Sequence, residues 1–233
     1  MIKQQIDYYA SNDKMYVASD CIVFGFDQGE LKLLIFKRRV EPDKGDWSLI
    51  GSFVELDEDD NTSAKRVLKQ ITGLDHVFLE QLKTYTRVDR DKGARCISIA
   101  QYALIRIDDY DKALVEKHGA YWCNLNEVPQ LTLDHNQMVI DALEELRRKA
   151  KYQPIGFELL PEKFTIPQLQ SLYEAIYQCE FDSGNFRKKV LSLKVLEKLE
   201  EKDKSNSRRG AFLYQFNADN YRKLVNSGYH FEI

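Results

Sequence analysis

The sequence predicts an α+β protein in two parts: a strand-led sandwich over residues 1–150 and a helix–helix–hairpin unit over 164–233, joined by a linker at 151–163. Three observations predict it. Long β-branched and aromatic runs (VASDCIVFGF, LKLLIFKRR, ISIAQYALIRI) come first, and an amphipathic helix closes that part. Pro154 and Pro161 then interrupt all periodicity. Beyond them the apolar spacing turns helical twice before it alternates again.

The first two runs are joined by DQGE, a hairpin signal with Gly29 in the loop. ISIAQYALIRI (97–107) is a further long strand and YWCNL (121–125) a short one. In NQMVIDALEELRRK (136–149), Met138, Ile140, Ala142, Leu143 and Leu146 recur at helical spacing. A shorter helix is expected from Asn61, Thr62 or Ser63, the candidate caps, to about Ile71, with Gly73 as its stop.

Composition narrows the function classes. Hydrophobic residues make up 43% and charged residues 30% of 233, which suits a globular chain. No run of about 18 apolar residues is present, so no membrane span is expected. The N-terminus lacks the apolar core of a secretion signal. Cys21, Cys96, Cys123 and Cys179 are scattered, as free thiols of a reducing compartment would be, and the cytoplasm is expected. The net charge of −3 divides into −5 over residues 1–150 and +2 over 151–233. Residues 183–209 alone hold nine basic and four acidic side chains, either a polyanion-binding surface confined to that region or, as such clusters more often are, a solvated face.

Residues 51–74, GSFVELDEDDNTSAKRVLKQITGL, carry the first resemblance. WSLIGSFVELDE, followed by Arg66 and by Gly73-Leu74, resembles the Nudix box, with Ser52 and Glu58 at its first glycine and first glutamate. The resemblance implies an α/β/α sandwich with a mixed sheet and, in active members, Mg²⁺-dependent hydrolysis of nucleoside diphosphate derivatives. The helix carboxylates of that box would fall at Val67, Gln70 and Ile71, which share one helix face. Mg²⁺ requires oxygen ligands, several of them anionic, and these residues supply none. Ala64, Val67, Leu68 and Ile71 instead form an apolar stripe. No catalytic residue, metal or cofactor is therefore expected; a hydrolase using the loop acids Glu55, Asp57, Glu58, Asp59 and Asp60 is the alternative.

In the C-terminal part, Thr165 precedes Gln168 at capping-box spacing, and Ile166, Leu169, Leu172, Tyr173 and Ile176 line one helix face. SGNFRKKVLSL (183–193) follows, capped by Asp182 or Ser183. Phe186, Val190 and Leu193 mark its buried side; Asn185, Lys188, Lys189 and Ser192 mark the other. Two helices and a tight connection make a helix-turn-helix, in which Asn185, Arg187, Lys188 and Lys189 would meet base edges and phosphates. A strand, a polar turn carrying Arg208 and Arg209, and a strand turning Phe212, Tyr214 and Phe216 inward complete a winged helix. An ordinary surface helix pair is the competing reading.

Taken with RDKGARCISIAQYALI (90–105) and LTLDHNQMVIDALEELR (131–147), the chain resembles the Nudix-related transcriptional regulators of the NrtR and AraR type. That resemblance implies a homodimer binding a palindromic double-stranded DNA operator, with a metabolite sensed in the Nudix-like domain. The implied effectors are ADP-ribose-like nucleotides or a sugar such as L-arabinose. Arg38, Arg39, Arg90 and Arg95 are the candidate contacts to a nucleotide; Glu55, Asp134, His135 and Asn136 are those to a sugar, toward which the missing helix carboxylates lean.

Overall fold

Strand register and side-chain alternation account for most of the architecture. The computed structural model describes residues 9–205 and 210–227. It runs β1 (Tyr16–Asp27), β2 (Glu30–Lys37), β3 (Trp47–Ser48), β4 (Ile50–Phe53), α1 (Asp60–Thr72), β5 (Glu80–Tyr85) and β6 (Cys96–Arg106). Then follow α2 (Lys112–Lys117), β7 (Ala120–Asn124), α3 (His135–Tyr152), α4 (Ile166–Tyr177), α5 (Ser183–Ser192), β8 (Leu196–Asp203), β9 (Ala211–Phe216) and α6 (Ala218–Asn226).

Seven strands form one mixed sheet in the order β3-β2-β1-β6-β5, with β4 added on β1 and β7 on β2. β1 pairs in parallel with β6 and antiparallel with β2 and β4. Successive residues of β1 feed opposite faces, as a pleated strand requires. Ile22 and Phe24 belong to one apolar cluster, Cys21 and Val23 to the other. The second cluster takes in α1 and α2 through Ala64, Val67, Leu68 and Val115. The first takes in α3 through Met138, Ala142 and Leu146. The expected sandwich with a mixed sheet, followed by a winged helix, is the observed fold.

Two expectations are corrected. α1 begins earlier than predicted: Asp59 is its cap, accepting the Thr62 amide at 2.7 Å, while Ser63 is already buried inside the helix. The stretch 151–163 is no slack linker. Phe157, Leu159 and Leu160 are buried in the same cluster as β1, α3 and α4. Within the C-terminal unit, α6, capped by Asn217, follows the wing. The DQGE hairpin forms as expected, with Gln28 and Gly29 both at positive φ (50° and 87°), the conformation a two-residue hairpin turn needs.

Candidate ligand pocket and nucleic-acid interface

α1 is the helix that would carry the cation-binding acids, and its residues are committed elsewhere. Val67 is buried in the cluster beneath the sheet, and Ile71 packs against it. Gln70 is exposed, with its side-chain oxygen accepting from Arg66 at 3.2 Å. The Arg66 guanidinium also holds Glu58 (2.8 Å from Nε), the Phe53 carbonyl (3.1 Å) and Glu55 (3.4 Å). Arg66 is the main cause that lowers the Glu58 carboxyl to about 2. Among the described residues, no three His, Cys, Asp or Glu side chains come together as a set able to hold a metal ion.

A cavity of about 420 Å³ opens between β1, the β3–β4 segment and the N-terminus of α3. Asp20, Arg38, Ser48, Ser52, Arg90 and His135 line it, with Phe53 on its wall. Inside it lies a buried charge network. Arg90 donates through Nε and Nη2 to both carboxylate oxygens of Asp134, at 3.0 and 2.7 Å, and approaches Asp20 at 3.6 Å. Asp20 in turn accepts from the Ser98 hydroxyl at 2.5 Å. Gly51 makes room for this carboxylate: a Cβ there would fall 1.9 Å from Asp20 Oδ1.

His135 closes the back of the cavity. Its Nδ1 accepts the Leu49 amide at 3.2 Å, which leaves the proton on Nε2, 3.7 Å from Asp20. Burial is the main cause that lowers its pKa, with Asp20 pulling the other way, so the ring is held neutral.

Of the eight predicted ligand residues, the structure gathers four: Arg38, Arg90 and His135 in the wall, and Asp134 directly behind Arg90. Four are engaged elsewhere. Arg39 donates to the His118 carbonyl, Glu55 stays exposed beside Arg66, Arg95 donates to the Arg87 and Cys96 carbonyls, each at 3.3 Å, and Asn136 Oδ1 accepts the Leu131 amide. Asp20 and Ser98, both strand residues, belong to the site without having been predicted there.

In the C-terminal part, α4 and α5 form the helix-turn-helix. Asp182 caps α5 by accepting the Asn185 amide. Phe186 and Val190 are buried, while Asn185, Lys188 and Lys189 face solvent along one side. Arg187 is also exposed and reaches the Tyr214 hydroxyl at 3.3 Å, which ties α5 to the wing strand. β8 and β9 pair antiparallel, and Tyr214 also bridges to Phe164 ahead of α4. Tyr214 is buried as expected, with Phe212 and Phe216 half-buried beside it. Lys198 and Lys202 stack over the Phe212 ring at 3.7 and 4.3 Å, holding two cations on the hairpin. Arg208 and Arg209 lie outside the described residues.

Comparison with known proteins agrees with this architecture. Residues 156–216 match the family model described as the NrtR DNA-binding winged helix domain. The chain is 31% identical to the ADPR responsive transcriptional repressor NtrR of Acinetobacter baylyi, covering 87% of this chain and 82% of that protein. It is similar in structure to Shewanella oneidensis NrtR complexed with a 27mer DNA, with a TM-score of 0.73 and 27% identity over 92% of this chain and 97% of that one. It is also similar to the NUDIX domain of that Shewanella protein complexed with ADP ribose, with a TM-score of 0.53 and 26% identity over 60% of this chain and 94% of that one. A relative matched over most of its length, a structural match over nearly the whole chain and a winged helix at residues 156–216 together mean that the chain belongs to the NrtR family of Nudix-related transcriptional regulators.

Proposed function

We propose that this protein is a cytoplasmic, homodimeric transcriptional repressor that binds operator DNA through α5 and the wing, and senses an ADP-ribose-like nucleotide without hydrolysing it. The observation that carries this reading is the outward, basic face of α5, with Asn185, Lys188 and Lys189 exposed opposite a buried Phe186 and Val190. On the second helix of a helix-turn-helix, amide and cationic groups on the free side are placed to meet base edges and phosphates.

The nucleotide is favoured over a sugar by what the cavity offers. Arg38 and Arg90 bring two guanidinium groups to one wall, suited to phosphate oxygens, and Asp20 can accept from ribose hydroxyls. Two of the groups that suited a sugar do not line the cavity: Glu55 lies beside Arg66, and Asn136 accepts the Leu131 amide at 2.9 Å. The similar proteins named as ADPR-responsive and as complexed with ADP ribose support the same choice. The absence of hydrolysis follows from Val67, Gln70 and Ile71, which offer no anionic oxygen to a cation. Effector binding would change the presentation of the two recognition helices in the dimer. A coupling of about 1–3 kcal/mol corresponds to a roughly 5- to 150-fold change in operator affinity.

Three measurements test this. Titration calorimetry should detect ADP-ribose binding and none with L-arabinose. The Lys188→Glu/Lys189→Glu variant should lose at least about tenfold in affinity for the DNA upstream of its own gene, with a shallower salt dependence. Sustained AMP release from ADP-ribose with Mg²⁺ would overturn the regulator-only reading.

A further inference from the structure

Asp134 occupies the N-cap position of α3, yet its side chain accepts no hydrogen bond from that helix. An aspartate here would ordinarily take the amide of the second or third helical residue, Asn136 or Gln137. Both of its oxygens are instead held by Arg90, whose side chain is almost fully buried in the wall of the cavity. The preceding residue, Leu133, sits in the left-handed region at φ 54°, an uncommon conformation for a residue with a branched side chain, and it too lines the cavity. At the start of α3 the Asp134 carboxylate thus leaves the helix amides uncapped and serves the guanidinium group in the cavity wall, next to a residue in the left-handed region.

The far end of α3 is fastened to the DNA-reading unit. Arg147 Nε donates to the Ile176 carbonyl in the last turn of α4 at 3.1 Å, and the Tyr177 hydroxyl donates back to the Arg147 carbonyl at 3.2 Å. From α4 the contact continues through rings. Tyr173 meets Phe186 of α5 at 5.9 Å, and Phe181 lies between Tyr177 and Phe186 at 5.7 Å from each. α3 has 18 residues and spans about 27 Å, enough to join the cavity to the base of the recognition helix.

We propose that Asp134 is a two-position latch. An anionic ligand that draws Arg90 toward itself releases Asp134 to cap α3, and the reseated helix shifts α4 and α5 through the Arg147–Ile176 and Tyr177–Arg147 bonds. The latch rests on the reading of this cavity as the effector site. It explains how a contact at Arg90 reaches α5 in the C-terminal part. It also makes the charge of the ligand the signal: a neutral sugar would leave Arg90 on Asp134.

Hydrogen exchange on the full-length protein tests the latch without requiring a ligand. Asp134→Asn keeps a capping side chain but loses the ion pair, and should slow exchange in the first turn of α3 (residues 135–138) about fivefold. Asp134→Ala, which can neither cap nor pair, should speed it. Arg90→Gln frees the native carboxylate and should reproduce the Asn result, which covers the case of a poorly folding Asn variant. In either slowed variant, exchange across residues 174–190 should also change. Adding Arg147→Ala together with Tyr177→Phe, which removes both bonds, should abolish that distal change and leave the first-turn effect intact. Equal exchange in the Asp134→Asn and Asp134→Ala variants, or a distal change that survives the Arg147→Ala/Tyr177→Phe pair, would overturn the proposal. ADP-ribose added to the wild type should reproduce the Arg90→Gln pattern. If calorimetry detects no ADP-ribose binding, the effector reading fails, while the variant comparison still decides the latch.

Discussion

Because Nδ1 of His135 accepts the Leu49 amide, the ring is useful to the fold only while neutral. Its pKa lies below the ordinary value of 6.5, so at acidic pH the unfolded chain takes up a proton that the folded protein refuses. The stability contributed by the neutral ring is fully present above pH 6.5 and is lost as pH falls below it. Denaturant melts at pH 7.5 and 5.5 should show the loss, and His135→Asn, whose Oδ1 can still accept the Leu49 amide, should reduce it. An unaltered pH profile in that variant would assign the loss to other groups. At this scale the sequence was a mixed guide. That Val67, Gln70 and Ile71 carry no carboxylate was legible from the sequence alone. Asp20 was not: in a strand of apolar neighbours, nothing local says that its carboxylate meets Ser98 and Arg90, 78 and 70 residues away.

Among the elements, α4 shows how far local chemistry reaches. Thr165 Oγ1 accepts the Gln168 amide and Gln168 Oε1 accepts the Thr165 amide at 2.7 Å, the reciprocal cap that their spacing predicted. Thr165→Ala should cost about 1 kcal/mol of stability, with Thr165→Ser close to wild type in the same melts. Equal losses in the two variants would mean that the methyl group, rather than the cap, holds the helix. Elements with their own periodicity or caps were read correctly: β1, β2, β6, α3, α4 and α5. The two-residue β3, the edge strand β5 and the six-residue α2 were not, since each is too short for a period to show and each forms by pairing with, or packing on, a neighbour.

For the molecule as a whole, the two parts share one apolar core. Leu172 and Tyr173 of α4 lie in the same buried cluster as Phe24 and Leu33 of the sheet and Leu146 of α3. The β1–β2 turn touches α4 so closely that a Cβ on Gly29 would fall 2.6 Å from the Ser171 hydroxyl. Both tryptophans, Trp47 and Trp122, lie in the Nudix-like part. Tryptophan fluorescence therefore follows that part alone, whereas circular dichroism follows both. The two transitions should coincide, and Leu172→Ala should destabilise both together by about 2–5 kcal/mol. Two separated transitions would show that the junction does not couple the parts.

By itself, the sequence determined the order of parts, the absence of carboxylates at positions 67, 70 and 71 and the basic outer face of α5, because each depends on residue type at short spacing along one element. Only the tertiary structure decided which arginines meet in the cavity, that Asp134 serves Arg90 and not its own helix, and that residues 151–163 are packed in the core. Those outcomes depend on which faces meet across long sequence separations, and a strand or helix carries no local record of the partner on which its side chains close.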